Sequence, residues 1–238
     1  MNKILKISLA TLIAGTLTTS VIAGEAHSGL SIGVTASSND FDVYGSEREK
    51  MQGLGDGGYQ DDESSASRSF SQDVGSLFIE YTTMQGSSFG AEYIPGSGTI
   101  ATETRTDTCG AGGDDANKSC AGTSTAKADV DNFWTFYVEP TYMVNDVFGV
   151  YARGGVSKIR VSTLETLHTT GAYGNIDVYG GTYGLGVKAF HPAGIFVKLS
   201  AEKTEFKDFT LESTGGENME VSGDIDVETV KLALGYNF

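Results

Sequence analysis

Proline is scarce, with three in 238 residues, and long apolar runs are absent beyond the first two dozen positions. A membrane-crossing helix needs roughly 20 consecutive apolar residues, so nothing in the rest of the chain is suited to one. Positive charge is also short: 16 Lys and Arg stand against 31 Asp and Glu, a formal net charge of -15. Phosphate backbones are gripped by basic footprints, so nucleic acid is not an expected partner. Three His and two Cys leave little material for a metal centre, and no cofactor is expected. No stretch sustains helical spacing, whereas glycine reaches 32, which together make an all-β composition.

At the N-terminus, Lys3 and Lys6 precede a mostly apolar run from Ile7 to Ala14, followed by threonines and a cleavage pattern at Val21 and Ala23. This is the pattern of a cleaved secretory signal peptide over residues 1–23. Its removal takes away two positive charges and moves the net charge from -15 to -17. Residues 24–238 then form one expected domain of an exported protein. In that setting Cys109 and Cys120, close together in a polar segment, are expected to clip a surface loop by a disulfide. A zinc site would need more ligands, and no His lies near either cysteine.

Alternation of apolar and polar residues predicts eight strands, at about 29–37, 74–84, 87–96, 130–144, 147–162, 174–190, 195–210 and from 224. Tight turns at Gln85-Gly86, Asn145-Asp146 and His191 to Gly194 alternate with long connections over 38–73, 97–129, 163–173 and 211–223. Short and long connections taking turns describe an up-and-down antiparallel barrel with both termini on one side. In hydrocarbon such a sheet must close, because an open edge would leave backbone donors and acceptors unpaired. The apolar phase flips near Gly154-Gly155, near Gly180-Gly181, and between Val227 and Val230. Bulges, or strand sections rising above the membrane, are the available causes. Tyr81, Tyr93, Tyr142, Phe148, Phe196, Tyr236 and Phe238 fall near turn ends, where an interfacial girdle belongs. Phe78, Phe133 and Tyr137 fall on the inner face.

That inner face carries Glu80, Glu92, Glu139, Arg153, Lys188, Lys198, Glu202 and Lys231 at similar distances from the turn ends. Facing lipid near the midplane, a Lys or Arg would cost about 2–4 kcal/mol, which favours pointing it inward. An eight-stranded barrel has an interior only wide enough for side chains to fill. The belt therefore reads first as an ion-paired plug, with a narrow gated ion path as the alternative.

Residues 230–238, VKLALGYNF, set Val230, Leu232, Leu234, Tyr236 and Phe238 on one face and stop on the aromatic. This ending resembles the C-terminal strand signature of bacterial outer-membrane barrels, where such a terminus is the assembly signal. The whole of 24–238 resembles by architecture the small eight-stranded group containing the outer membrane protein A transmembrane domain, outer membrane protein X and Ail-like proteins. The resemblance implies the outer membrane as location, membrane lipid, lipopolysaccharide and the barrel assembly machinery as partners, and a scaffold whose loops meet an extracellular ligand or host surface. It departs from outer membrane protein A in showing no peptidoglycan-binding domain after the last strand.

The first long connection is acidic, with Asp40, Asp42, Glu47, Glu49, Asp56, Asp61, Asp62, Glu63 and Asp73, but its spacing fits no EF-hand loop. Enzymes exist on this architecture, among them lipid A-modifying enzymes and omptin-like proteases. Here His27 and His191 sit toward the turn side, leaving only His168, beside Glu165, as a loop-borne base. No enzymatic activity is expected. A surface-interaction scaffold leads, ahead of a narrow porin for small solutes and a lipid A-modifying enzyme.

Overall fold

A computed structural model describes residues 28–50, 61–107, 122–166, 174–212 and 219–238. Its strands are β1 (Gly29–Lys50), β2 (Asp61–Thr82), β3 (Ser88–Asp107), β4 (Gly122–Glu139), β5 (Thr141–Met143), β6 (Phe148–Thr166), β7 (Ile176–Phe190), β8 (Ile195–Phe206), β9 (Phe209–Glu212) and β10 (Met219–Asn237). β4 and β5 are one stave broken at Pro140, which has no N–H to give to a ladder. β8 and β9 are likewise one stave broken at Lys207-Asp208. Eight antiparallel staves result, each beside its sequence neighbours, and β1 closes on β10 from Ser31↔Asn237 to Glu49↔Met219. Closure leaves the backbone of the first and last staves paired, as a hydrocarbon environment requires.

The three tight turns stand where the sequence places them. Thr83 N–H donates to Ser87 O at 2.8 Å around Gly86, whose φ of 80° suits glycine. Asn145 Oδ1 accepts from the amides of Val147 and Phe148 at 2.9 and 2.8 Å. His191 N–H donates to Ile195 O at 2.7 Å, with Gly194 at φ 85°.

At the other end the strands run far beyond their expected limits. Residues 38–50 and 61–73, read as loop, continue β1 and β2 in unbroken register to Lys50↔Asp61. Parts of 97–129, 163–173 and 211–223 are strand as well. These extensions are rich in Ser, Thr and charge, so they lack the apolar alternation that marks a lipid-facing strand, while backbone pairing needs none of it. At about 3.3 Å per residue, 22-residue strands reach far more than a bilayer core demands. Residues 1–23, His27, His168, Cys109 and Cys120 lie outside the described residues.

No bulge accompanies the phase flips. β6 pairs β7 without a register shift from Phe148↔Ala189 to Val161↔Ile176, and β10 is equally regular against β1. Side chains keep alternating; what changes is which face is apolar. Register shifts occur elsewhere, at Ile94/Ser97 and Thr99/Ala101 in β3 and at Asp131/Trp134 in β4, where Asn132 has φ 54°.

Candidate functional site

The interior is layered by height. At the tight-turn end Phe78, Phe190, Phe196 and Ala233 pack into an apolar floor. The rings need room, and inward glycines provide it: a Cβ on Gly33 would lie 2.3 Å from the Phe78 ring, and one on Gly235 would lie 2.3 Å from Phe196. Phe196, expected in the interfacial girdle, is instead 1% exposed and part of this floor, because its parity on β8 points it inward beside Lys198.

Next to the floor all eight belt residues are buried. Lys198 Nζ lies 2.5 Å from Glu80 Oε2 and 2.7 Å from Glu139 Oε2. Arg153 reaches Glu92 at 2.6 Å, Glu202 at 3.2 Å and Glu139 at 3.5 Å. Lys231 bridges Glu92 at 2.8 Å and Glu202 at 3.0 Å. Lys188 donates to Gly86 O at 2.8 Å and Ser88 Oγ at 3.2 Å, tying the belt to the first turn, and stands 3.8 Å from Glu139. Four acids thus meet four bases from seven of the eight staves. Buried charges persist only when paired and hydrogen-bonded, and neutral groups complete the set. Tyr137 donates to Glu80 at 2.7 Å, Ser76 to Glu92 at 2.6 Å and Ser200 to Glu202 at 2.7 Å. The Arg153 guanidinium also lies 3.7 Å over the Tyr137 ring.

Little space remains. A void of about 10 Å³ lies among Thr35, Tyr137, Arg153 and Lys231, room for about one water. Arg153 Nε is a buried donor with no protein acceptor, so a single water is the natural occupant.

Farther up, hydroxyls replace charges. Thr135, Ser157, Thr182 and Thr204 link β4, β6, β7 and β8 in a chain of 2.8, 2.6 and 2.8 Å contacts, and Thr229 donates to Asn39 at 2.8 Å. Above them Ile100, Val130, Ile159, Val161, Val178, Phe206, Ile225 and Val227 form a second, apolar cluster, with Phe41, Phe70 and Phe133 packed against it.

The exterior inverts the same order. Around the charged belt it is an apolar girdle: Leu30, Ile32, Val34, Leu77, Ile79, Phe136, Val138, Leu185, Val187, Val230, Leu234 and Phe238 are all exposed, Leu185 by 67%. Exposure on this scale is unsuited to water, and lipid is the solvent that matches it. Around the apolar cluster the exterior is ionic. Asp177 accepts from Lys158 at 2.7 Å and from Arg160 at 2.9 Å, and these hydrogen bonds hold its carboxyl below the usual range. Lys203 bridges Glu205 at 2.8 Å and Asp226 at 3.0 Å.

The C-terminal set, Val230, Leu232, Leu234, Tyr236 and Phe238, lines the outer face of β10, and Phe238 N–H closes onto Leu30 O at 2.9 Å. Sequence reasoning overlooked Tyr137, Ser76 and Ser200 as belt partners. Their parity, shared with the charged positions of their own strands, is the signal that identifies them. Among the described residues no three His, Cys, Asp or Glu side chains group as a metal site. His191 sits in its turn, with Nδ1 accepting from Ala193 N–H at 3.2 Å.

No protein-family model matches the chain, and no curated protein matches its sequence. Among solved structures it is similar to the outer membrane protein OprG of Pseudomonas aeruginosa, with 14% identity, TM-score 0.45, and 90% of this chain and 99% of that one covered. The outer membrane protease OmpT of Escherichia coli gives 10% identity, TM-score 0.41 and coverages of 92% and 100%. Ail, the attachment invasion locus protein of Yersinia pestis, gives 12% identity, TM-score 0.31 and coverages of 82% and 97%. Likenesses this slight carry no argument about activity; the eight-stave barrel rests on its own strand register.

Proposed function

We propose that this chain is a non-enzymatic outer-membrane scaffold whose barrel is closed to solutes and whose long strand extensions present a surface outside the cell. One observation carries the reading: eight interior charges pair among themselves around a void of about one water, between an apolar floor and an apolar cap. A path for ions would have to break three layers in succession. The extensions support the outward-facing half of the reading. β1 and β2, for example, continue in register past the apolar girdle to Lys50↔Asp61, far more strand than membrane anchoring needs.

Liposome swelling tests the reading. Vesicles holding the refolded barrel should swell in isotonic arabinose no faster than empty ones. Swelling that scales with protein content would make the chain a narrow porin and overturn the scaffold assignment.

A further inference from the structure

Two neighbouring rows of outward side chains cross the lower part of the girdle. Register sets Phe89, Val138 and Gly154 in one row and Ala91, Phe136 and Val156 in the next. Ala91 and Gly154 are small, and a Cβ built on Gly154 would meet nothing within 4 Å, whereas Phe89, Phe136 and Val138 stand exposed around them. The result is an apolar groove of about 690 Å³ on the outer wall, running across β2, β3, β4 and β6.

The groove has a closed end and an open one. It stops short of the stacked Tyr93–Trp134 pair, whose rings lie 4.4 Å apart above it. Below, it passes Tyr81 and Phe89, with rings 5.6 Å apart, toward the turn at Thr83 to Ser87. An occupant therefore comes from the tight-turn side of the membrane. The volume falls within the roughly 300–1,000 Å³ of sites that hold a drug-sized ligand. Contact in lipid has no water to expel, so preference for one occupant comes from close packing, which small residues permit. A hydrocarbon chain laid over Ala91 and Gly154 against Phe136 is touched on several sides, where a flat wall would touch it on one.

We infer that this groove seats one acyl chain of a zwitterionic phospholipid with an ammonium headgroup, drawn from the leaflet on the tight-turn side. Charge selects the headgroup. The three tight turns, 82–88, 140–148 and 190–196, contain no Lys or Arg, and the bases closest to them in sequence, Lys188 and Lys198, are buried in the belt. Asp146 is exposed in the turn that joins the β4–β5 stave to β6, and exposed Tyr142 stands between it and Val138 on that stave. An ammonium is attracted to this rim, while an anionic headgroup finds no cation there. The site lies on the outer wall, so it stands whether or not the interior conducts.

The test is native mass spectrometry of the refolded barrel, released from detergent micelles doped with equal amounts of dioleoyl phosphatidylethanolamine and dioleoyl phosphatidylglycerol. The expected spectrum shows one retained lipid per barrel, with the ethanolamine form in several-fold excess. Gly154→Phe and Ala91→Phe, which fill the groove, should each remove it while heat-modifiable migration still reports a folded barrel. Asp146→Lys should reverse the headgroup preference. The inference is overturned by any of four results: no retained lipid, a graded series of adducts, retention unchanged by both filling variants, or a headgroup preference that favours phosphatidylglycerol or ignores Asp146→Lys.

Discussion

Val227 is buried inside the barrel, and Val230, three residues along the same regular strand, faces outward. Both are apolar because each faces the phase that excludes water at its own height. Val230 lies in the girdle, where the outside is lipid and the inside is ionic. Val227 lies above it, where the outside is aqueous and the inside must be dry. One barrel therefore carries an inside-out section and a conventional one, stacked on continuous strands.

This inversion predicts opposite tolerances on β10. Ile225 is fully buried, and Ile225→Ala should cost about 2–5 kcal/mol, as deletion of a packed aliphatic group does. Glu228→Gln, on the exposed face beside it, should move the urea midpoint little. Equal losses at both positions would contradict the assignment of inside and outside.

In the belt, Arg153 contacts three carboxylates, and Arg153→Ala strands them in a site nearly without water. Removing one member of a buried ionic set typically costs about 3–5 kcal/mol. The thermal midpoint for loss of the compact form should fall accordingly. An unchanged midpoint would mean that the belt contributes nothing to stability.

Much of this was legible in the sequence. The eight-stave closure, the three tight turns and the inner parity of the charged residues follow from alternation alone, because lipid imposes a strict period of two. The upper barrel was harder to read. Its strands answer to water outside, so Ser, Thr and Asp on β1 and β2 look like loop. Phe196 was also misplaced, since nearness to a turn suggested the girdle although its neighbours Ile195 and Val197 already fixed its parity. The end of β2–β3 pairing at Leu77↔Tyr93, although both strands run on, leaves no mark in periodicity, because it is an absence of pairing between two well-formed strands.

Close packing around Tyr151, beside the belt, gives another test. A Cβ on Gly186 would lie 2.4 Å from Tyr151 Cζ and 2.7 Å from Leu199 O. Gly186→Val should destabilise by about 1–3 kcal/mol, as overpacking does. Adding Tyr151→Ala should recover part of that loss by removing the ring, though not the strain against the Leu199 carbonyl. Urea titration of the two variants separates these contributions, and no recovery would mean that the ring is not the obstacle.

Outside the girdle, Asp177 has its folded pKa depressed by hydrogen bonds from Lys158 and Arg160. A carboxyl of this kind contributes stability above its unfolded pKa and loses it as pH falls through the folded one. Because the site is exposed, the contribution is small, and NMR titration of the side-chain carboxyl carbon is the suitable readout. Lys158→Ala should move the Asp177 midpoint upward, toward the ordinary carboxylate range. A midpoint that stays in place would show that the pair does not form in solution.

The most direct test of the account is the current through single refolded barrels in a planar bilayer at molar salt. An ion-paired interior with room for about one water predicts a silent membrane over correctly folded, heat-modifiable protein. Steady conductance steps that grow with salt concentration would contradict it, and would turn Glu80, Glu139, Arg153 and Lys198 from a plug into the lining of a pore.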